Sequence, residues 1–419
     1  MEAMTGHCVH YGRCGGCQTQ EIPYPEQVAA KGAALGELLA PFYGGPVEVC
    51  PSPVLWHYRN KIDPVFAPKH YDEPPPKGFV RDTVLGFKER GRWFRPLELE
   101  ECRIGPQGAE ALFAAAGNWH RASGLRGFDS RTGEGFLKTL LVRDAKRTGQ
   151  RMVVLITTPG DFDPAPFVDM VRASYGACSI WRGISRGSAD NAFADELELL
   201  HGEPVIVEEL LVRENPGNGT WDMPSELLAA DSAGDGLRLR FRVSPMSFFQ
   251  TNPLGAERLY GMIREWVREA APAQLYDLYG GMGGIAFSCA DLVERVCSVE
   301  NVPAASEDGR QNALDNGIAN VDFVTERVKN HLKHLLQTGG MPPPSAAVVD
   351  PPRSGMHPKA IRRLVELGPP HLLYVSCNPK VLAGELPVFM EAYSIRRVRA
   401  VDLFPHTRHV EALVEMTLR

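Results

Sequence analysis

The sequence predicts an α/β chain in three parts, and three observations carry that prediction. From about residue 241, short apolar strands alternate with helical stretches, as in a doubly wound sheet with helices on both faces. Residues 51–240 show paired apolar-rich runs flanking turn residues, as in the expected hairpin "FLKTLLVRDAKRTGQRMVVLITT", which makes this region β-rich. Residues 1–50 open with three closely spaced cysteines and continue into a helical stretch at 25–40. The expected organisation is an N-terminal segment, 1–50, a central β-rich domain, 51–240, and an α/β domain, 241–419.

In the last part, "TNPLGAERLYGMIREWVREA" opens on the cap signal Thr251-Asn252-Pro253 and sets Leu259, Met262, Ile263, Trp266 and Val267 on one helical face. Strand "QLYDLY", turn "GGMGG" and helix "IAFSCADLV" follow, then strand "RVCSVE", helix "AASEDGRQNALDNG" and a short strand near "VDFVT". Strand "SAAVVD" leads into loop "PPRSG", and after a helix "HLLYVSC" is a further strand. The chain closes on "SIRRVRAVDLF" and "EALVEMTLR".

The 419 residues are 44% hydrophobic and 23% charged, a globular composition. No apolar run approaches the roughly 18 residues of a membrane helix. The start, "MEAMTGHCVH", has neither the basic nor the apolar region of a secretion signal. Nine cysteines, an odd number, then point to reduced thiols in a cytoplasmic protein, serving metal or catalysis. No membrane contact and no protein partner is expected.

The net charge of −6 excludes a globally basic nucleic-acid binder, so any such contact must be local. Two basic runs offer it. One holds Arg121, Arg126, Arg131, Lys138, Arg143, Lys146, Arg147 and Arg151 against Asp129, Glu134 and Asp144. The other holds Lys77, Arg81, Lys88, Arg90, Arg92 and Arg95, interleaved with Phe79, Phe87, Trp93 and Phe94. Cations beside aromatic faces suit single-stranded nucleic acid; a solvated β-surface has the same composition.

"YDLYGGMGG" lies where an open α/β sheet takes a ligand, at the end of its first strand. Glu300, ending the next strand, is placed to accept hydrogen bonds from a ribose. The loop is neither GxGxxG nor followed by a Walker lysine. That favours S-adenosylmethionine, which has a ribose and no phosphate, and leaves a dinucleotide open. Asp350 and Cys377 end two later strands, so they should share the same crevice, and Glu411 precedes the last strand. A lone cysteine is more often a small buried hydrophobe. Beside a methyl sulfonium, however, a thiolate can add to C6 of uracil, making C5 nucleophilic, and a carboxylate can then remove the C5 proton.

Cys8, Cys14 and Cys17, with glycines between them, form a candidate metal loop; Cys102 is the expected fourth ligand and Cys50 the alternative. Their spacing does not separate zinc from a [4Fe-4S] cluster.

"CVHYGRCGGCQTQ", "SFFQTNP", "DLYGGMGG", "VDPPRSG", "YVSCNP" and "FPHTRHVE" stand in this order and span residues 8–411. In them the chain resembles the RNA uracil-5-methyltransferase family, in its iron-sulfur branch acting on 23S ribosomal RNA. The resemblance implies a Rossmann-like class I S-adenosylmethionine-dependent methyltransferase domain, an RNA-binding central domain and an N-terminal iron-sulfur segment. It implies Cys377 as nucleophile and Glu411 as base, with Gln250, Tyr279, Gly284, Glu300 and Asp350 at the cofactor. It also implies a [4Fe-4S] cluster on Cys8, Cys14, Cys17 and Cys102. The chain departs from the family pattern at Gly280, usually Cys, at Gly284, usually Asn or Thr, and at Arg408, commonly Pro. The alternatives are a tRNA m5U methyltransferase and an iron-sulfur RNA-binding protein with an inactive methyltransferase domain. An m5C enzyme is disfavoured because "DPPR" fills the position of its second cysteine.

Overall fold

In the computed structural model, residues 7–73, 75–76, 78–188, 192–214, 236–342 and 345–419 are described. The chain opens with α1 (Tyr24–Leu39), β1 (Val47–Cys50), β2 (Lys61–Ile62), β3 (Val65–Pro68), β4 (Thr83–Glu89) and β5 (Arg92–Glu98). It continues through α2 (Ala109–Ser123), β6 (Leu137–Asp144), β7 (Arg151–Thr157), α3 (Ala165–Tyr175), β8 (Ser179–Ile184) and β9 (Glu196–Gly202). Next come β10 (Ile206–Val212), β11 (Leu237–Val243), α4 (Pro253–Ala270), β12 (Gln274–Leu278), α5 (Gly284–Cys289), β13 (Arg295–Glu300) and α6 (Pro303–Asp315). The last elements are β14 (Val321–Thr325), α7 (Val328–Thr338), β15 (Ser345–Val349), α8 (Pro358–Leu367), β16 (His371–Ser376), α9 (Pro379–Phe389), β17 (Tyr393–Val401) and β18 (Glu411–Leu418).

Contacts divide the chain into two units. One comprises the described residues of Met1–Glu21, Leu55–Glu208 and Val243–Met246; the other comprises those of Ile22–Val54, Glu209–Arg242 and Ser247–Arg419. This division departs from the boundaries read at 50 and 240. The reason is that β1 pairs in parallel with β17, Val47 opposite Val398 through Cys50 opposite Val401. A four-residue strand is too short to announce its sheet from sequence.

In the first unit the sheet runs β5-β4-β3-β6-β7-β8-β9, with β2 paired to β6. The expected hairpin is β6 and β7, antiparallel from Asp144–Arg151 outward. Two helices, α2 and α3, bury Leu112, Phe113, Phe167 and Val171 in the core of this unit. Turn signals dominate the sequence here and conceal both helices.

In the second unit the sheet runs β1-β17-β18-β16-β15-β12-β13-β14. Its strands are parallel except β18, which is antiparallel to both β16 and β17. β15 is buried along its whole length and β16 nearly so, as strands covered on both faces must be. The predicted apolar face of α4 is buried: Leu259, Ile263, Trp266 and Val267 are at most 1% exposed. Asn252 caps that helix by accepting from the Gly255 amide at 2.9 Å.

β18 is fixed by charge as well as by its ladder. Buried Glu415 accepts from Arg397 Nε and Arg399 Nη2, both at 2.9 Å, while Arg399 Nη1 also donates to Glu265 at 2.7 Å. Removing the shared carboxylate leaves Arg399 to Glu265 and Arg397 to Glu269, and takes from each the buried partner that ties it to β18. Glu415→Ala should therefore lower stability by about 1–3 kcal/mol, read as a fall in the urea midpoint with an unchanged m value.

Candidate active site

The turn after β12 is built by glycine. A Cβ at Gly280 would run into the Ser298 hydroxyl and the Asp277 carboxyl, so only glycine fits there. Tyr279, at φ 72°, holds a left-handed conformation that costs a non-glycine residue energy. Its amide donates to Val299 O at 2.9 Å. Glu300 accepts from the Gly281 amide at 3.1 Å and from the Val302 amide at 2.7 Å, which fixes its carboxylate against the loop. A backbone brought this close, with a carboxylate beside it, fits the ribose end of S-adenosylmethionine.

Asp350 directly follows β15 and Cys377 directly follows β16, so parallel pairing brings both to one edge of the sheet. Glu411 is the first residue of antiparallel β18, opposite Val401 on β17. The three groups lie in one another's fields. Burial pushes the Cys377 thiol up to about 11, the Glu411 and Asp350 carboxylates add to the rise, and the Arg353 guanidinium opposes it. Burial raises Glu411 well above the usual carboxylate range, with Asp350 adding to it. Asp350 is raised to about 7 by burial and then by Asp277. Asp277, fully buried, is likewise held up at about 7, although Ser298 Oγ donates to it at 3.3 Å. Asp350 and Asp277 thus hold their protons to near neutral pH, and Glu411 is shifted in the same direction.

Asn378, next to Cys377, donates to Arg353 O at 3.0 Å and so ties the thiol's turn to the loop after Asp350. Tyr279 is not turned toward the thiol: its hydroxyl lies by the His357 backbone and in the field of Glu385. Gln250 stands two residues before the Asn252 cap. Gly284 opens α5 with no side chain to offer. A Cβ there would run into the hydroxyl of Tyr260, a buried residue of α4 in the field of Asp350, Asp277 and Glu411. Tyr260 thus occupies the space of the Asn or Thr expected at 284. Sequence reasoning passed over it because it reads as one more residue of an amphipathic helix.

In the first unit, Cys8, Cys14, Cys17 and Cys102 line a single cavity of about 280 Å³ with Gln20, Arg59 and Glu101. Burial raises Cys17 to about 11 and Cys102 to about 12, with the neighbouring cysteines adding to each. Among the described residues, no three Cys, His, Asp or Glu are grouped so as to hold one metal ion. Cys50, the alternative fourth ligand, ends β1 and is not among the lining residues.

The basic run 121–151 is not a continuous cationic strip. Lys138 and Arg143 are 2% exposed within β6, whose residues face inward. Lys146 pairs with Asp144 at 2.9 Å and Arg131 with Asp129 at 3.3 Å. The second run keeps aromatic rings at the surface: Phe79 and Phe94 are about half exposed, and they meet Tyr71 and His70 edge to face, with ring centroids 5.5 and 5.6 Å apart. Lys77 lies outside the described residues.

A family model described as tRNA (uracil-5-)-methyltransferase matches residues 228–418. Over 417 residues the chain is 32% identical to an uncharacterized RNA methyltransferase of Clostridium tetani, covering 97% of this chain and 82% of that relative. It is 29% identical over 405 residues to a tRNA (uracil(54)-C(5))-methyltransferase of Pyrococcus furiosus, covering 96% and 83%. The crystal structure of the Pyrococcus abyssi tRNA (uracil-54, C5)-methyltransferase in complex with S-adenosyl-L-homocysteine shares the fold, with a TM-score of 0.70 at 24% identity over 96% of this chain and 86% of that one. With a thiol, three acids and a glycine-built turn gathered on a class I sheet, and a relative matched along nearly the whole chain, the protein belongs to the tRNA (uracil-5-)-methyltransferase family of S-adenosylmethionine-dependent RNA methyltransferases.

Proposed function

We propose that this chain methylates C5 of a specific uridine in RNA, 23S rRNA being the favoured substrate. The observation that carries this reading is the meeting of Cys377, Asp350 and Glu411 at the same end of β15, β16 and β18, with both carboxylates acting on the thiol and Asp350 acting on Glu411. The Cys377 thiol gives its proton to the Asp350 carboxylate, in whose field it lies, and the sulfur bonds to C6 of the uracil, placing an electron pair at C5. S-adenosylmethionine, when bound, supplies an electrophilic methyl group for C5; Gln250, Tyr279, Glu300, Asp350 and the backbone at Gly284 are its proposed contacts. Glu411 then takes the C5 proton. The electrons of the C5–H bond form the C5–C6 double bond, and the Cys377–C6 bond breaks.

Cys8, Cys14, Cys17 and Cys102 are proposed to hold a [4Fe-4S] cluster with a structural role. The support is that these four thiols line one cavity, the donor type and number such a cluster takes. The cysteine segment, with the exposed Tyr71–Phe79 and His70–Phe94 ring pairs as stacking surface for RNA, favours the 23S reading. The name of the P. furiosus relative favours the tRNA reading. Mapping of m5U in both RNAs from a strain lacking the gene decides between them. Loss from tRNA with 23S rRNA unchanged would overturn the ribosomal assignment.

RNA carrying 5-fluorouridine should trap the wild type as a covalent adduct, seen as a shifted band in denaturing gels. Cys377→Ala should form none and lose turnover by on the order of 10⁴. A wild type that forms no adduct would instead favour an inactive methyltransferase domain. Because Asp350 holds its proton up to about pH 7, turnover should rise between pH 6 and pH 8 as the acids ionise. Cys14→Ala should lose the brown colour and soluble yield of the wild type. Zinc without iron in purified protein would end the cluster assignment.

A further inference from the structure

Glu411 begins β18 directly opposite the last residue of β17, Val401, so residues 402–410 leave and rejoin the ladder at one point. The direction of the Glu411 carboxylate therefore depends on how this loop is held. Its own turns are tight: Phe404 N donates to Asp402 Oδ1 at 2.9 Å, and Thr407 Oγ1 donates to Phe404 O at 2.8 Å. His406 sits at φ 63°, a conformation that a β-substituted side chain keeps only under outside constraint.

The constraint comes from α1, far away in sequence and within the same unit. Lys31 Nζ donates to Asp402 Oδ1 at 2.7 Å and to Phe404 O at 3.1 Å. The Lys31 side chain is 5% exposed and that of Asp402 is 0%. One turn earlier, Gln27 Oε1 accepts from His406 N at 2.9 Å, while its Nε2 lies 3.3 Å from His406 Nδ1 and donates to Ile22 O at 2.8 Å. From the other side, Asn252 Nδ2 donates to Leu403 O at 3.1 Å and to Ser52 Oγ at 3.0 Å. The buried stripe of α1 thus reads Gln27, Lys31, Leu35, Leu39, with two polar residues where a helix packed only for stability would carry apolar ones. A buried ion pair is a poor source of stability and a good source of fixed geometry.

We infer that Gln27 and Lys31 are positioning residues for the proton-removal step: they lock residues 402–409 so that Glu411 is aimed at C5 of the bound pyrimidine. This rests on the reading of Glu411 as the base. It makes a specific prediction, because base misplacement slows only the step after methyl transfer. The reaction then stalls with Cys377 bonded to C6 of a ring already methylated at C5.

The test uses the full-length protein with [5-³H]uridine-labelled transcripts of 23S rRNA and of a tRNA pool. Methyl incorporation and tritium release are followed in single turnover, and denaturing gels score the covalent adduct. Gln27→Ala, and the charge-neutral pair Lys31→Met with Asp402→Asn, should release tritium roughly tenfold or more slowly. They should incorporate methyl within about twofold of wild type and accumulate an adduct on unmodified RNA. Glu411→Gln is the reference and should stall completely in the same state. If Glu411→Gln accumulates no adduct, the base assignment itself has failed. If it does, while folded Gln27→Ala slows both readouts in proportion or neither, the positioning role is overturned. Should the double variant not fold, Gln27→Ala alone decides, since it removes only neutral contacts.

Discussion

Burial of three carboxyl groups and a thiol within one another's reach is the constraint around which the second unit is arranged. None of these groups could ionise freely there: Asp277 is completely enclosed, and Asp350 and Glu411 each raise the other's affinity for a proton or that of Cys377. A site of this kind holds proton equivalents near neutrality and needs no histidine to do so. It also demands a stiff frame, because like charges at close range would move apart if the backbone allowed it. The parallel strands β15 and β16, inaccessible to water, and the arginine-clamped β18 provide that frame.

Much of this was legible in the sequence because parallel strands buried on both faces end abruptly in polar residues. "AAVVD" and "LLYVSC" announce Asp350 and Cys377, and the turn glycines announce the ligand crevice. Glu411 was recognisable only through its motif, since nothing in local pattern distinguishes it from a surface glutamate. Tyr260 was invisible: its significance is its position opposite a glycine, and that requires the fold. Gln27 and Lys31 were hidden for a related reason. A polar residue on a short helix reads as solvent-facing until a partner is found hundreds of positions later in the chain.

Charge counting misled in one place. Lys138 and Arg143 add to a basic run on paper, yet β6 carries them inward, and other members of the run are paired locally. Formal charge becomes available to a phosphate backbone only where side chains remain hydrated and unclaimed. The rings of Phe79 and Phe94 illustrate the opposite case, apolar groups kept at the surface by edge contacts with Tyr71 and His70 respectively.

The pairing of β1 with β17 has a bearing on biosynthesis. Residues 47–50 leave the ribosome long before residues 398–401, yet their place in the sheet exists only once those residues have emerged. The methyltransferase unit is therefore closed by segments far apart in sequence, a topology of high contact order. A nascent polypeptide interrupted anywhere before the final strands lacks both its sheet neighbour and Glu411, the proposed base. Incomplete translation products then carry a thiol with no finished site around it, so they cannot turn over on RNA and leave a stretch of sheet edge uncovered.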